Sequence, residues 1–173
     1  YQAMIYHCLR QDGQVPINQI GMNVKMWIDN PVSYLFKCLD LAKNPNFRGG
    51  FEPIPDIVLF SSRINGDWRR RNNKETLLNM LVAIEVKASE RKSGRLGKAE
   101  IVRDVVKLAA HREEAEAKGS KMYPIMLIVD SAPLRAERIT FDSLAAVEEA
   151  ALAYGVGLLY TSSEHEVNTV IAG

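Results

Sequence analysis

The chain of 173 residues has only two cysteines, Cys8 and Cys38, which form no Cys-x-x-Cys pair. This argues against a disulfide scaffold and a cysteine metal cluster, and the expected state is a pair of buried, reduced thiols in a cytosolic, cytoplasmic protein. The histidines His7, His111 and His165 are too widely spread for zinc-ligand spacing. No apolar run approaches the roughly 18 residues needed to span a bilayer. No charged-then-apolar leader is visible, although the chain begins at Tyr1 and so reads as processed, or as a piece of something longer. Excess charge of either sign is also missing. The formal net charge of +1 removes bulk attraction as an argument for nucleic acid and leaves only local clusters. Two such clusters exist: Arg69, Arg70 and Arg71 with Lys74, and residues 87–98, which hold Lys87, Arg95 and Lys98. Internal repeats and low-complexity linkers are absent.

What is present is the composition of a folded protein, 47% hydrophobic and 25% charged, in a length suited to a single domain over residues 1–173. Apolar spacing predicts a helix over 1–11, ended by Asp12 and Gly13, and a short strand over 22–28. A second helix is expected over 31–43, with Asn30 as its cap and Pro31 in its first turn. Strands are expected over 54–60 and 76–87, joined by a polar, basic connection over 65–74. A long helix over 98–118 presents Ile101, Val102, Val105, Leu108 and Ala109 on one arc and stops at Gly119. A buried strand over 123–130, a helix over 141–154 and a last strand over 156–161 follow. The early strands can pair antiparallel, and the later ones arrive through helices and should run parallel to a neighbour. The expected fold class is α/β, a mixed central sheet flanked by helices.

Glu85 and Lys87 lie two apart at the end of the apolar run 80–84, so both point to one face of a strand while Val86 points into packing. Asp56 opens the preceding strand. If the two strands form an antiparallel pair, the start of one lies beside the end of the other, and Asp56 stands next to Glu85. Two facing carboxylates repel each other. A divalent cation reverses the sign, because magnesium is commonly held by one or two carboxylates with water and substrate phosphate. A lysine beside them offers a point charge for the phosphate. Taken singly, Asp56 is an ordinary turn residue after proline, and Glu85 with Lys87 an exposed polar pair. Jointly, at the mouth of so apolar a strand, they read as a phosphodiester-hydrolysis site.

Pro55-Asp56, a spacer, then Glu85-Val86-Lys87, followed by a helix carrying Glu100, Asp104 and Lys107, resembles the motif of PD-(D/E)XK, restriction-endonuclease-like nucleases. The resemblance covers residues 50–130. It implies a restriction-endonuclease-like core and Mg2+ or Mn2+ on Asp56 and Glu85, with the Val86 carbonyl as a further ligand. It implies that Lys87 positions water and stabilises the developing phosphate charge, and that the partner is DNA, with RNA not excluded. Many nucleases also dimerise to cut both strands, so a homodimer stays open. Many family members carry a further Glu on the first helix. Residues 1–11 hold none; Gln2 is the nearest in kind, and Asp12 lies at the helix end.

Other features carry weaker readings. Arg69, Arg70 and Arg71 beside Trp68 are candidate nucleic-acid contacts or an ordinary solvated tip. Arg103, Lys107 and His111 form a stripe at helical spacing, read equally as a solvated face paired with Glu100 and Asp104 or as a phosphate contact; what the resemblance implies for Lys107 is a role in supporting the site residues or in contacting the DNA backbone. Gly94-Arg95-Leu96-Gly97-Lys98 fails the P-loop spacing and lacks its hydroxyl, which disfavours an NTPase. It reads as a basic loop in which Arg95 and Lys98 are candidate nucleic-acid contacts. Asp130 ends a buried strand and reads as polar punctuation in preference to a peripheral site residue, and Tyr6, Trp27, Tyr34 and Phe36 read as core. The competing function is a catalytically inactive module of the same fold that binds nucleic acid or protein.

Overall fold

The structure is a computed structural model that describes residues 1–43, 50–64, 74–89, 95–163 and 168–170. In chain order its elements are α1 (Gln2–Gln11), β1 (Ile20–Met22), β2 (Ile28–Asp29), α2 (Tyr34–Lys43), β3 (Gly50–Phe51), β4 (Ile57–Phe60), α3 (Lys74–Leu78), β5 (Met80–Ala88), α4 (Lys98–Ala117), β6 (Tyr123–Asp130), α5 (Phe141–Ala153), β7 (Gly157–Ser162) and β8 (Asn168–Val170). The fold is α/β. A mixed sheet of six strands runs in the order β1-β4-β5-β6-β7-β8, and β2 and β3 form a separate antiparallel ladder. The centre, β5-β6-β7, is parallel because α4 and α5 carry the chain back between successive strands. The β1-β4, β4-β5 and β7-β8 pairs are antiparallel.

The pleat sorts the side chains onto two faces. Val58, Phe60, Ala83, Met126 and Ile128 join the larger core cluster beneath α4 and α5, while Ile57, Ile84, Val82, Val86, Ile125 and Leu127 pack with Ile5, Tyr6 and Leu9 of α1 on the opposite face. Central parallel strands covered on both faces read as continuous apolar runs, and β6 does so. Helix α2 rests on α4. There Phe36 is fully buried and stacks on Phe51 with ring centroids 4.3 Å apart, and close packing of this kind makes truncation costly.

Several local expectations are corrected. The expected strand over 22–28 is split between β1 and β2. Asn23 has a positive φ of 50°, and Val24 and Met26 are buried in chain that belongs to neither ladder. Helix α2 starts later than expected. Its N-terminus is held by Ser33, whose Oγ accepts from the Phe36 amide, and not by Asn30, which adopts a φ of 45°. The strand expected over 76–87 begins at Met80, because Lys74–Leu78 closes a helical turn. Asn79 seals it by donating to the Glu75 carbonyl and accepting from the Ser61 hydroxyl. Helix α4 stops where glycine permits a φ of +85° at Gly119, with the Ser120 amide reaching back to Ala115. Cys8 and Cys38 are exposed, not buried, because each lies on the outer face of its helix. Tyr34 is 75% exposed and Trp27 stands at the surface, so of the aromatic residues expected in the core Phe36 is the fully buried one. No helix of the described residues is long and apolar enough to cross a membrane.

Candidate active site

The β4-β5 register pairs Ile57 with Ile84, which sets Asp56 opposite Glu85 one step further on. Asp56 Oδ2 accepts from the Val86 amide at 2.7 Å, fixing the carboxylate against β5. Ala83 belongs to the core beneath α4, so by the two-residue period Glu85 and Lys87 project to that same face, as the sequence predicts. Val86 faces α1. What the structure records of Val86 at the site is its N–H on Asp56.

Helix α4 completes the cluster from above. Lys87 Nζ lies 2.6 Å from Asp104 Oδ2, 3.0 Å from Glu100 Oε1 and 3.7 Å from Glu85 Oε1. Lys107 also binds Asp104, one turn along the helix. Asp104 is thus buried between two ammonium groups, and the reading of it as part of a solvated face is corrected. His111 leaves that stripe too. It is buried against the sulfur of Met26, and burial pushes its pKa down to about 3. A sequence signal existed for both residues, since Asp104 and His111 fall at helical spacing with Ile101 and Leu108 on the apolar arc, where an ionisable residue needs a partner or a neutral form.

Helix α1 completes the cluster from the other side. Gln2 Nε2 donates to Asp56 Oδ1 at 2.5 Å, and Asn23 Nδ2 donates to Gln2 Oε1 at 3.3 Å. The residue nearest in kind to the family's extra acid therefore touches the site as an amide. Asp12 caps the far end of α1.

Burial pushes the Glu85 carboxyl up to about 7, and the charges of Asp56 and Asp104 push the same way against Lys87 and Lys107. Burial also raises Asp56, opposed by the Val86 N–H and by Lys87. Burial works against the charged form of Lys87, but its bonds to Asp104 and Glu100 outweigh that and hold its pKa above the ordinary lysine value. Burial works against Asp104 as a carboxylate, yet the bonds from Lys107 and Lys87 keep it below the usual range. The result is a lysine whose charged form is favoured by the acids that clamp it, beside Asp56 and Glu85, whose carboxyls are raised by burial.

A cleft of about 210 Å3 opens beside Glu85, lined also by Glu52, Asp104, Lys107 and His111. Glu52 is a further acid at the site that the sequence did not single out. Among the described residues no group of three or more His, Cys, Asp or Glu side chains is arranged to hold a metal. Asp56 and Glu85 provide two carboxylates, hard oxygen donors suited to Mg2+ or Mn2+ when water and substrate oxygens fill the other positions.

The basic candidates are more dispersed. Arg95 is exposed just before α4 and donates to the Ala136 carbonyl through Nε and Nη2 at 3.0 and 2.7 Å. Lys98 is exposed in the first turn of α4. Arg69, Arg70 and Arg71 lie outside the described residues. Comparison of the chain with models of known protein families, with curated proteins and with solved structures finds no match.

Proposed function

We propose that this chain is a metal-dependent nuclease with a restriction-endonuclease-like core, which hydrolyses DNA phosphodiester bonds. The observation that carries the reading is the convergence of Asp56, Glu85 and Lys87 on one edge of β4-β5, with Asp56 locked to the Val86 amide. Asp56 and Glu85 would hold Mg2+ or Mn2+, which when bound supplies Lewis acidity at the phosphate and its attacking water. Lys87 stays protonated under the charges of Asp104 and Glu100, so it acts as a fixed positive charge that orients water and offsets charge developing on phosphorus, not as a proton acceptor. Lys107 adds a second positive charge on the wall of the same cleft. Arg95 and Lys98 stand at the amino end of α4, where a nucleic-acid backbone would pass.

One observation favours the alternative, an inactive nucleic-acid- or protein-binding module. Asp104 and Glu100 hold the Lys87 ammonium, and an amide, Gln2, stands beside Asp56. The two readings separate in a cleavage assay on supercoiled plasmid and labelled single-stranded DNA with Mg2+ or Mn2+. Cutting that stops with EDTA and in Lys87→Ala establishes the nuclease. A folded protein that binds DNA without cutting it leaves the module.

A further inference from the structure

A second and larger cleft, of about 700 Å3, lies on the helix-covered side of the sheet near the carboxyl ends of β6 and β7. Its lining includes Asp130, Tyr160, Arg95, Arg135, Arg138 and Phe141. Asp130 is fully buried. Its Oδ2 accepts from the Ile139 amide at 3.0 Å and the Tyr160 hydroxyl at 3.2 Å, while Oδ1 has no hydrogen-bond partner among the described residues. A buried carboxylate oxygen left unsatisfied is costly, and in a native protein it calls for an explanation. Asp130 is one of the residues lining the cleft, so a ligand N–H that reaches Oδ1 after a small shift of the side chains covering it would satisfy that oxygen.

The rest of the lining narrows the ligand. Arg95 and Arg138 are held by the carbonyls of Ala136 and Ala132, which steadies both guanidinium groups at the cleft, and Arg135 is exposed beside them. Fixed guanidinium groups suit phosphate. Phe141, the first residue of α5, is 85% exposed, an open face for a planar ring. Glu148 adds a second carboxylate to the wall. Guanidinium groups of the kind that suit phosphate, an open aromatic face and carboxylates able to accept an N–H, all in one cleft, match a nucleotide whose base carries an exocyclic amino group. Thymine presents its N–H between two carbonyls, which would face the carboxylate unfavourably.

The cleft also lies within reach of the site described above. Lys87 pairs with Ile128 in the β5-β6 ladder, and Asp130 is two residues further along β6 on the same face. Strand geometry places their Cα atoms roughly 8 Å apart. We infer that this cleft receives one unstacked, amino-bearing base of the bound strand, accepted by Asp130 and stacked against Phe141, with its phosphate on Arg135 and its neighbours. The placement on a strand rests on the nuclease reading. The base pocket itself does not.

The test is calorimetric titration, without divalent metal, of dCMP, dGMP, dAMP and dTMP, and of oligo-dC against oligo-dT. The expected result is binding of the amino-bearing nucleotides and oligo-dC, with the thymine forms about tenfold weaker. Phe141→Ala and Arg135→Ala, both at exposed positions, should each weaken binding about tenfold at an unchanged melting temperature. Asp130→Asn should remove the preference over thymine. Absence of binding, binding without base preference, or binding insensitive to Phe141→Ala and Arg135→Ala would overturn the pocket. Binding of mononucleotides but not of oligo-dC would overturn its place on a strand. Metal-dependent cleavage without nucleotide binding would sink the pocket and spare the nuclease; binding without cleavage would do the reverse.

Discussion

Lys87 Nζ and Asp104 Oδ2 lie 2.6 Å apart, joining the middle strand of the sheet to the long helix above it. Neither side chain is more than about one-sixth exposed, with values of 16% and 5%. Screening by water is therefore weak, and removing one partner leaves a charge poorly solvated. Asp104→Asn is expected to lower stability by about 3 kcal/mol, the scale for breaking a buried pair from one side. It should also lower the Lys87 pKa, because that group loses its closest counter-charge. Chemical denaturation reads the first effect. Under the nuclease proposal, a pH-rate profile of DNA cleavage would read the second as a new loss of activity at alkaline pH. A variant as stable as the parent would show that the pair contributes little.

Metal binding makes a separate prediction. A ligand that binds only the native state stabilises it, by about 2.7 kcal/mol at a hundred times its dissociation constant. Millimolar Mg2+ or Mn2+ should raise the melting temperature, and Asp56→Asn should remove most of that shift. An equal shift in the variant would place the cation elsewhere.

Gln2 tests the contribution of α1. Gln2→Ala removes the hydrogen bond to Asp56 Oδ1 and should cost about 1 kcal/mol. Gln2→Glu replaces an amide donor with a carboxylate beside Asp56, so the metal-free protein should melt lower. The thermal shift produced by Mn2+ should then exceed that of the parent, since a third oxygen donor is supplied. A Mn2+ shift unchanged in Gln2→Glu would separate Gln2 from the cation site.

His111 sets a pH window. Its folded pKa, pushed down to about 3 by burial, lies below the unfolded value near 6.5. Between those values the unfolded chain binds more protons than the native one, so stability rises with pH across the window and is lost progressively as pH falls from about 6.5 toward 3. Carboxylates contribute to acid unfolding as well, so the informative quantity is a difference. His111→Leu should flatten the contribution of His111 to the melting-temperature profile between pH 6.5 and 4.5, while Glu85, whose carboxyl is pushed up to about 7, titrates in the same window in both proteins and cancels in the difference. A profile parallel to the parent's would mean that His111 is protonated in the native protein.

The sequence by itself determined the alternation of helices and strands and the shared face of Glu85 and Lys87. It also determined the place of Asp56 at the strand start and the end of α4 at Gly119. Each of these follows from a local period of two or of 3.6 residues, or from a backbone angle that one residue tolerates. The start of β5 was misplaced because Leu77 and Leu78 continue its apolar run, although they belong to a helical turn closed by Asn79. Only the tertiary structure decided which charges meet. Asp104 reaches Lys87 across 17 positions of sequence, and Gln2 reaches Asp56 across 54. Those contacts depend on strand register and on how α1 and α4 lie against the sheet. The same holds for Asp130, which reads as punctuation in the sequence. With β7 beside it and the chain before α5 folded over it, Asp130 becomes a buried carboxylate at a cleft. Burial and pairing are properties of the packed layers, and no local period encodes them.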